Sequence, residues 1–198
     1  MVHLSDRVKN MEESATLAMA AKAREFKEKG VDVISLSLGE PDFKTPKHIQ
    51  EGAKAAIDEN KWFSYPPVNG YLDLRKAIAE KFKNENGLEY TPDQIVVSNG
   101  AKQSIINVML SLINPGDEVI VFSPYWVSYT AAIGLAEGIP VLIKGSLEDD
   151  FKATAQQLKE AITPKTRAII FSSPCNPTGS VFTKEELEKI AEVVLEHE

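Results

Sequence analysis

Short runs of apolar residues alternate with helical stretches over the second half of the chain, and this alternation constrains the fold more than any other feature. The apolar runs are residues 95–97, 118–122, 140–143 and 168–171. The helical stretches that follow them are about 101–113, 125–136, 154–161 and 183–197. Strands that alternate with helices are typical of a parallel or mostly parallel sheet covered by helices on both faces. The sequence therefore predicts an α/β fold.

The first half of the chain reads differently, as helices joined by rigid loops. Helices are predicted at 14–29, 46–59 and 72–87, the last because Leu74, Ile78 and Phe82 recur every four positions. Residues 31–38 alternate apolar and polar side chains and are expected to be extended. Proline and glycine mark the loops at 39–46 and 65–70.

The helix that follows Lys102 is apolar nearly all round. Its apolar side chains are Ile105, Ile106, Val108, Met109, Leu110, Leu112 and Ile113. We therefore expect this helix to be buried. The last helix differs, because its apolar residues form one stripe and its many glutamates are most simply a solvated face.

Composition excludes several classes of protein. The chain has 22 basic and 29 acidic residues, a net charge of −7, which argues against a general binder of nucleic-acid phosphates. No apolar run approaches the length of a membrane span, and the first residues do not resemble a signal peptide. The single cysteine, Cys175, allows no internal disulfide and suits a reducing compartment. We expect a cytoplasmic protein that needs no structural metal.

Ligands of open α/β sheets bind at the carboxyl ends of the strands, and three segments fall there. The first, residues 98–102, precedes the apolar helix, and Ser98 or Asn99 could cap that helix. Small Gly100 and Ala101 would let a ligand approach the free N–H groups, which together with the helix dipole form an anion site. Taken alone, a capped helix start without a ligand is the favoured interpretation.

The other two segments follow the second and fourth predicted strands. Trp126, at the end of residues 123–126, could stack on a flat cofactor ring, although alone it is more simply a packing residue. Residues 172–179 hold two prolines that stiffen the loop around Asn176, whose amide could bond a phenolate or carboxylate oxygen. An ordinary turn is the alternative for this loop.

In this order the three segments resemble those of fold-type I pyridoxal-phosphate (PLP) aminotransferases, and in particular the class I aspartate aminotransferase branch. The resemblance extends from about residue 14 to the end of the chain. It rests on six motifs, namely SLGEPDF (37–43), YPPVNG (65–70), GAKQ (100–103), NPGDEV (114–119), SPYWVSY (123–129) and SPCNPTG (173–179).

The resemblance implies a role for each matching residue of the cofactor site. Gly100, Ala101 and Lys102 would hold the PLP phosphate through their backbone N–H groups. Trp126 would stack on the pyridine ring and line the substrate site. Asn176 would hydrogen-bond the phenolic oxygen of the ring and reach the substrate carboxylate.

Further residues are implied in substrate binding. Gly39 would offer its backbone to the substrate α-carboxylate. Tyr65 would reach the phosphate of the partner subunit's PLP, which makes a homodimer the expected unit. Ser14, Thr16 and the Lys102 side chain would meet the distal carboxylate of an acidic substrate, for which a lysine is a suitable point charge. A solvated lysine is the alternative for Lys102.

The resemblance also implies an incomplete enzyme. Residues 1–45 would contribute to a small domain, and residues 46–198 would form the N-terminal half of the large PLP-binding domain. The family's Schiff-base lysine, the acidic partner of the pyridine nitrogen and the arginine for the α-carboxylate all follow the 173–179 motif, so no catalytic residue is assigned here. We expect a truncated aminotransferase, inactive alone, that acts on an amino acid and a 2-oxo acid.

Several alternatives remain at this stage. The chain could be a non-catalytic remnant that binds PLP, or one half of a split enzyme that needs the missing C-terminal half as its partner. The substrate is expected to be aspartate, with an aromatic amino acid or prephenate as the alternatives.

Overall fold

The computed structural model describes residues 3–9, 11, 15–37, 39 and 41–197. The chain divides into two compact units, one of residues 15–99 and the other of residues 100 onward together with residues 1–14. We call them the helical unit and the sheet unit. The predicted division near residue 45, into a part of a small domain and half of a large one, stays a prediction.

Apart from α1, which the sequence does not predict, the helices of the described residues form where the sequence predicts them, with ends that differ by a few residues at most. In chain order they are α1 (Asp6–Lys9), α2 (Ala15–Glu28), α3 (Lys47–Asp58), α4 (Leu72–Asn86), α5 (Ala101–Leu112), α6 (Ser128–Leu135), α7 (Ala155–Ala161) and α8 (Lys184–Leu195). Among the described residues, none of these helices is both long and apolar enough to cross a membrane.

Arg75 organises the helical unit around α4. Its side chain is buried, and its guanidinium donates hydrogen bonds to the carbonyl oxygens of Gly70, at 3.1 Å, and Pro92, at 2.7 Å. The same group lies 3.4 Å from the carboxylate of Asp93. One buried cation thus connects α4 to the loop before it and to the short 3-10 turn at Pro92–Gln94.

Three parallel strands form the sheet of the sheet unit. They are β1 (Glu118–Ser123), β2 (Ile139–Lys144) and β3 (Thr166–Ile170), in the order β2-β1-β3. In this register Ile120 lies opposite Val141 of β2 and Ile169 of β3. The predicted α/β fold with a parallel sheet is therefore confirmed.

The central strand is buried on both faces. Val119 and Val121 pack on one face with a cluster from α5 and α6 that includes Met109 and Ile133. On the other face, Ile120 packs with a cluster from α7 and α8, whose members are Leu158, Ile190 and Val193 together with Phe122, Ile143, Ala153 and Phe182. Because helices cover both faces, β1 reads as a continuous apolar run.

The prediction of a strand at residues 95–97 is wrong. The structure assigns no strand to this segment, and the N–H of Val97 donates to the carbonyl oxygen of Asn69, 3.1 Å away, in a loop. β-branched residues favour extended backbone, but a strand also needs a ladder partner. No described strand lies beside this segment to supply one.

The prediction that the helix now called α5 is buried is also wrong. Met109 faces the core, but Val108, Leu110 and Leu112 are 48%, 54% and 55% exposed. An apolar composition allows a helix to be buried, but another helix or strand has to pack against it to exclude water. Among the described residues, no element covers the outer face of α5.

Gly145 provides a test of the packing at the end of β2. A methyl group at this position would overlap the backbone carbonyl of Phe151 and lie 2.8 Å from the backbone nitrogen of Lys152. We expect Gly145→Ala to destabilise the sheet unit by about 1–3 kcal/mol, because backbone cannot move aside as a flexible side chain can. Urea denaturation followed by circular dichroism measures the change.

The matched control is Gly134→Ala, on the exposed side of α6, where a methyl group meets nothing within 4 Å. That substitution should raise the stability slightly, since alanine is the better helix former. Equal stability of the two variants would contradict the packing described for Gly145.

Candidate functional site

Chain direction brings the three predicted segments to one edge of the sheet. Only residues 113–117 separate α5 from β1, so α5 runs antiparallel to β1 and its N-terminus lies at the carboxyl end of that strand. Residues 124–127 leave the same end of β1, and the loop from residue 171 onward leaves the same end of parallel β3. The carboxyl edge is where open α/β sheets bind ligands.

Gly100 begins α5 in a conformation that suits only glycine. Its φ is 83° and its ψ is 165°, and it occupies the N-cap position without a side-chain hydrogen bond. Gly100, rather than Ser98 or Asn99, is therefore the N-cap residue. Ala101 and Lys102 are exposed in the first turn, where backbone N–H groups have no acceptor within the helix. This end of α5 can accept an anion.

Lys102 lies over Trp126. Its ammonium is 5.3 Å from the centroid of the indole ring, a cation–π distance. Trp126 is half-buried, and its ring meets Tyr129 edge to face with 5.7 Å between the centroids. The Lys102 ammonium forms no ion pair with a described carboxylate. A positive charge and a flat ring thus stand together beside the helix end.

The loop that carries Asn176 is closed by its own backbone. The N–H of Cys175 donates to the carbonyl oxygen of Ser180 at 2.8 Å, and the N–H of Gly179 donates to the carbonyl oxygen of Cys175 at 2.8 Å. The backbone N–H of Asn176 donates to Ser172 Oγ at 3.4 Å. The Asn176 side chain is exposed and has no hydrogen-bond partner among the described residues, so its amide is available to a ligand.

One contact joins the Asn176 loop to the segment that carries Trp126. The Sγ of Cys175 lies 3.3 Å from the carbonyl oxygen of Pro124, which is two residues before Trp126. The segment at Lys102 therefore touches the one at Trp126, and that segment touches the loop of Asn176. The structure brings together the five residues predicted for this part of the site.

The remaining predicted residues precede residue 100. Thr16 is half-buried on α2, while Gly39 and Tyr65 are exposed in loops of the helical unit. Ser14 lies outside the described residues. The roles of these four residues, and the cofactor and substrate roles of Gly100, Ala101, Lys102, Trp126 and Asn176, stay predictions.

Sequence reasoning missed an ion pair beside the Asn176 loop. Lys152 Nζ lies 2.7 Å and 2.9 Å from the two carboxylate oxygens of Glu186, which the sequence placed on a solvated face. Hydrogen bonds from Lys152, and then from the N–H of Thr183, hold the pKa of the Glu186 carboxyl below its usual value. The available signal was the capping box Thr183-x-x-Glu186, which positions this glutamate at the start of α8.

Comparison with known proteins places this geometry in a family. The family model described as aminotransferase class I and II matches residues 31–198. The chain belongs to this family. The family uses PLP, and the resemblance read from the six motifs is confirmed.

Curated relatives share nearly half of their aligned residues with this class I and II aminotransferase chain. An aspartate aminotransferase of Bacillus sp. (strain YM-2) is 49% identical over 194 residues, which are 98% of this chain and 49% of the relative. An aspartate/prephenate aminotransferase of Cereibacter sphaeroides is 48% identical over 197 residues, covering 100% of this chain and 49% of that protein.

Solved structures match this chain over its whole length. The aspartate aminotransferase of Thermus thermophilus with maleate has a TM-score of 0.95 at 45% identity and is covered over 52% of its length. The aspartate aminotransferase of Rhizobium meliloti has a TM-score of 0.95 at 41% identity and is covered over 49%. The chain thus spans about half the length of the relatives that it matches.

Gly100 provides a test of the helix start. A methyl group there meets nothing within 4 Å, so any cost of Gly100→Ala comes from the backbone conformation alone. We expect a loss of about 1–3 kcal/mol in the free energy of unfolding, because non-glycine residues rarely adopt positive φ with extended ψ. Urea denaturation measures the loss, with Gly134→Ala again as the control. An unchanged midpoint would show that α5 does not begin in this conformation.

Proposed function

We propose that this chain forms the PLP-binding half of an aspartate-type aminotransferase, which moves an amino group between an amino acid and a 2-oxo acid. The observation that carries the proposal is the gathering of the α5 N-terminus, Trp126 and Asn176 at the carboxyl edge of the sheet, in a chain of the aminotransferase class I and II family. The names of the aspartate and aspartate/prephenate aminotransferase relatives support the substrate class.

The residues present fit the chemical parts of PLP. The phosphate group is an anion that suits the first turn of α5, where Ala101 and Lys102 present backbone N–H groups. Trp126 offers an indole surface to the flat pyridine ring, and the exposed Lys102 ammonium would swing away from that surface to make room. The unpartnered amide of Asn176 can donate to the phenolic oxygen. When bound, PLP acts as an electron sink for the substrate carbon that carries the amino group.

Lys102 is also the residue that we propose for substrate choice. Its ammonium has no described carboxylate partner, so once it has left the Trp126 ring to PLP it can form an ion pair with the distal carboxylate of a dicarboxylic substrate. Ser14 and Thr16 are proposed to share this carboxylate, and Gly39 to bind the α-carboxylate through its backbone. These assignments favour aspartate, with prephenate or an aromatic amino acid as the alternatives.

Two further parts of the proposal concern the assembly. We propose a homodimer in which Tyr65, whose side chain is fully exposed, reaches the phosphate of the PLP in the partner subunit. The covalent lysine would come from the part of the family's length that these 198 residues do not span.

The single cysteine, Cys175, suits a reducing compartment, so we place the activity in the cytoplasm.

Cofactor binding can be tested without catalysis. We expect the chain to bind pyridoxamine 5'-phosphate, which carries an amine rather than an aldehyde and therefore cannot react with surface lysines. Trp126→Ala should weaken this binding about tenfold, the order of magnitude of a lost aromatic stacking contact with its buried area. The affinity for inorganic phosphate should remain unchanged. Isothermal titration calorimetry measures both affinities.

Trp62→Ala is the matched control, because Trp62 packs on Tyr71 in the helical unit and has no proposed contact with PLP. If Trp126→Ala and Trp62→Ala weaken binding equally, Trp126 does not stack on the ring. If the unaltered chain binds neither compound, the proposed function is wrong.

The division of the activity can be tested by supplying the missing half. The purified 198 residues alone should show no exchange between aspartate and 2-oxoglutarate, because no residue in them is assigned as the covalent lysine. Mixing them with the C-terminal half of the Bacillus sp. (strain YM-2) relative should restore exchange, measured as oxaloacetate formation.

A variant of that second half lacking its covalent lysine is the control. Amino-group exchange by the 198 residues alone would contradict the proposal that the covalent lysine lies outside them. Absence of exchange in the mixture, with cofactor binding intact, would favour a remnant that binds PLP without catalysis.

A further inference from the structure

The Lys152–Glu186 ion pair is better shielded than an ordinary surface pair. The Lys152 side chain is only 15% exposed, while its ammonium contacts both carboxylate oxygens of Glu186 and lies 3.4 Å from the carbonyl oxygen of Val181. Exposed ion pairs contribute little to stability, whereas a shielded cation with three acceptors is fixed in place. This pair can therefore hold the backbone that it touches.

The pair bridges the sheet from one outer strand to the other. Lys152 ends the turn that follows β2, and Val181 and Glu186 belong to the segment that follows β3. Because the order is β2-β1-β3, these two strands lie on opposite sides of β1. The bridge thus crosses the carboxyl edge where the candidate cofactor site lies.

Aromatic packing supports the same crossing. Phe122 at the end of β1 stacks on Phe171 just after β3, with 4.9 Å between the ring centroids. Phe182 packs against both rings, at 6.1 Å and 5.4 Å, and the Lys152 ammonium lies 5.9 Å from the Phe182 centroid. Phe182 is consequently in contact with both rings and with the cation.

The Lys152–Glu186 pair and the neighbouring aromatic rings contact the part of the Asn176 loop that returns to α8, which is residues 180–182. The N–H of Phe182 donates to Ser173 Oγ at 3.0 Å, and the carbonyl oxygen of Ser180 accepts from the N–H of Cys175. Residues 180–182 are thereby connected to the outgoing limb of the loop, residues 173–175. A shift of residues 180–182 would therefore also shift the backbone that carries Asn176.

We propose that the Lys152–Glu186 pair is a positioning device, which fixes Asn176 at the ring end of the candidate cofactor site. This inference rests on the proposed function, because it concerns how one residue of that site is held. The pair touches neither α5 nor the Lys102 side chain, so the phosphate end of the site does not depend on it.

Lys152→Met removes the charge and keeps the length of the side chain. We expect it to raise the hydrogen-exchange rates of the Cys175, Gly179 and Phe182 amides about tenfold, the effect of losing a charge-assisted hydrogen bond. The amide of Val121 in β1 should not change. Lys152→Arg, which keeps the ion pair, should restore the rates of the unaltered chain. NMR-detected hydrogen exchange measures each amide.

Lys159→Met is the matched control. The Lys159–Glu196 pair has the same 2.7 Å distance and joins α7 to the residue just after α8, but both side chains are about half exposed and neither contacts the Asn176 loop. Glu186→Gln is a second test that leaves Lys152 in place and should loosen the same three amides. If Lys152→Met does not fold, the exchange rates of Glu186→Gln test the proposal instead.

A ligand measurement separates positioning from general stability. Lys152→Met should weaken binding of pyridoxamine 5'-phosphate about fivefold while leaving the affinity for inorganic phosphate unchanged, because Asn176 reaches the ring and not the phosphate. Lys152→Arg should restore the affinity. Calorimetry gives both values.

The outcomes distinguish the two proposals. The inference is wrong if Lys152→Met leaves the exchange rates of the three loop amides unchanged, or raises that of Val121 equally. It is also wrong if Lys152→Met weakens the binding of pyridoxamine 5'-phosphate and of inorganic phosphate equally. If the unaltered chain binds neither compound, the proposed function fails, and the exchange rates alone then decide whether the pair holds the Asn176 loop.

Discussion

Burial of β1 is the constraint on which the rest of the sheet unit depends. Val119, Ile120 and Val121 are completely buried, and hydrogen bonds pair the strand with β2 on one side and β3 on the other. A strand with no solvent on either face requires helices on both, and α5 with α6 and α7 with α8 supply them. Once β1 is central and parallel, the segments that carry the candidate site leave the sheet at one edge.

The candidate site combines local and distant contributions. The helix end at Gly100 and the loop around Asn176 are each formed by residues close in sequence, through backbone conformation and short-range hydrogen bonds. Their meeting depends on contacts across the fold, such as that of Cys175 with Pro124. A binding site for an anion that carries a flat ring therefore needs the sheet before its separate groups can act together.

The sequence was informative where periodicity and motifs are local. Helices such as α4 and α8 and the strand β1 were predicted closely, because apolar side chains recur at helical or strand spacing within a few turns. Residues 95–97 were mispredicted because a strand is defined by its neighbour, which lies elsewhere in the chain. The exposure of Leu110 on α5 was mispredicted for a related reason, since composition does not say what covers a helix.

The residues alone determined the α/β class, the family and the segments that could bind a phosphate and a ring, because each of these is a short-range pattern. Only the tertiary structure decided that Lys102 lies over Trp126, and that Lys152 pairs with Glu186, 34 residues away along the chain. Side-chain pairs between separate elements depend on strand order and on the direction of each helix. Strand order and helix direction are fixed only when the whole sheet packs, so no local sequence pattern predicts these side-chain pairs.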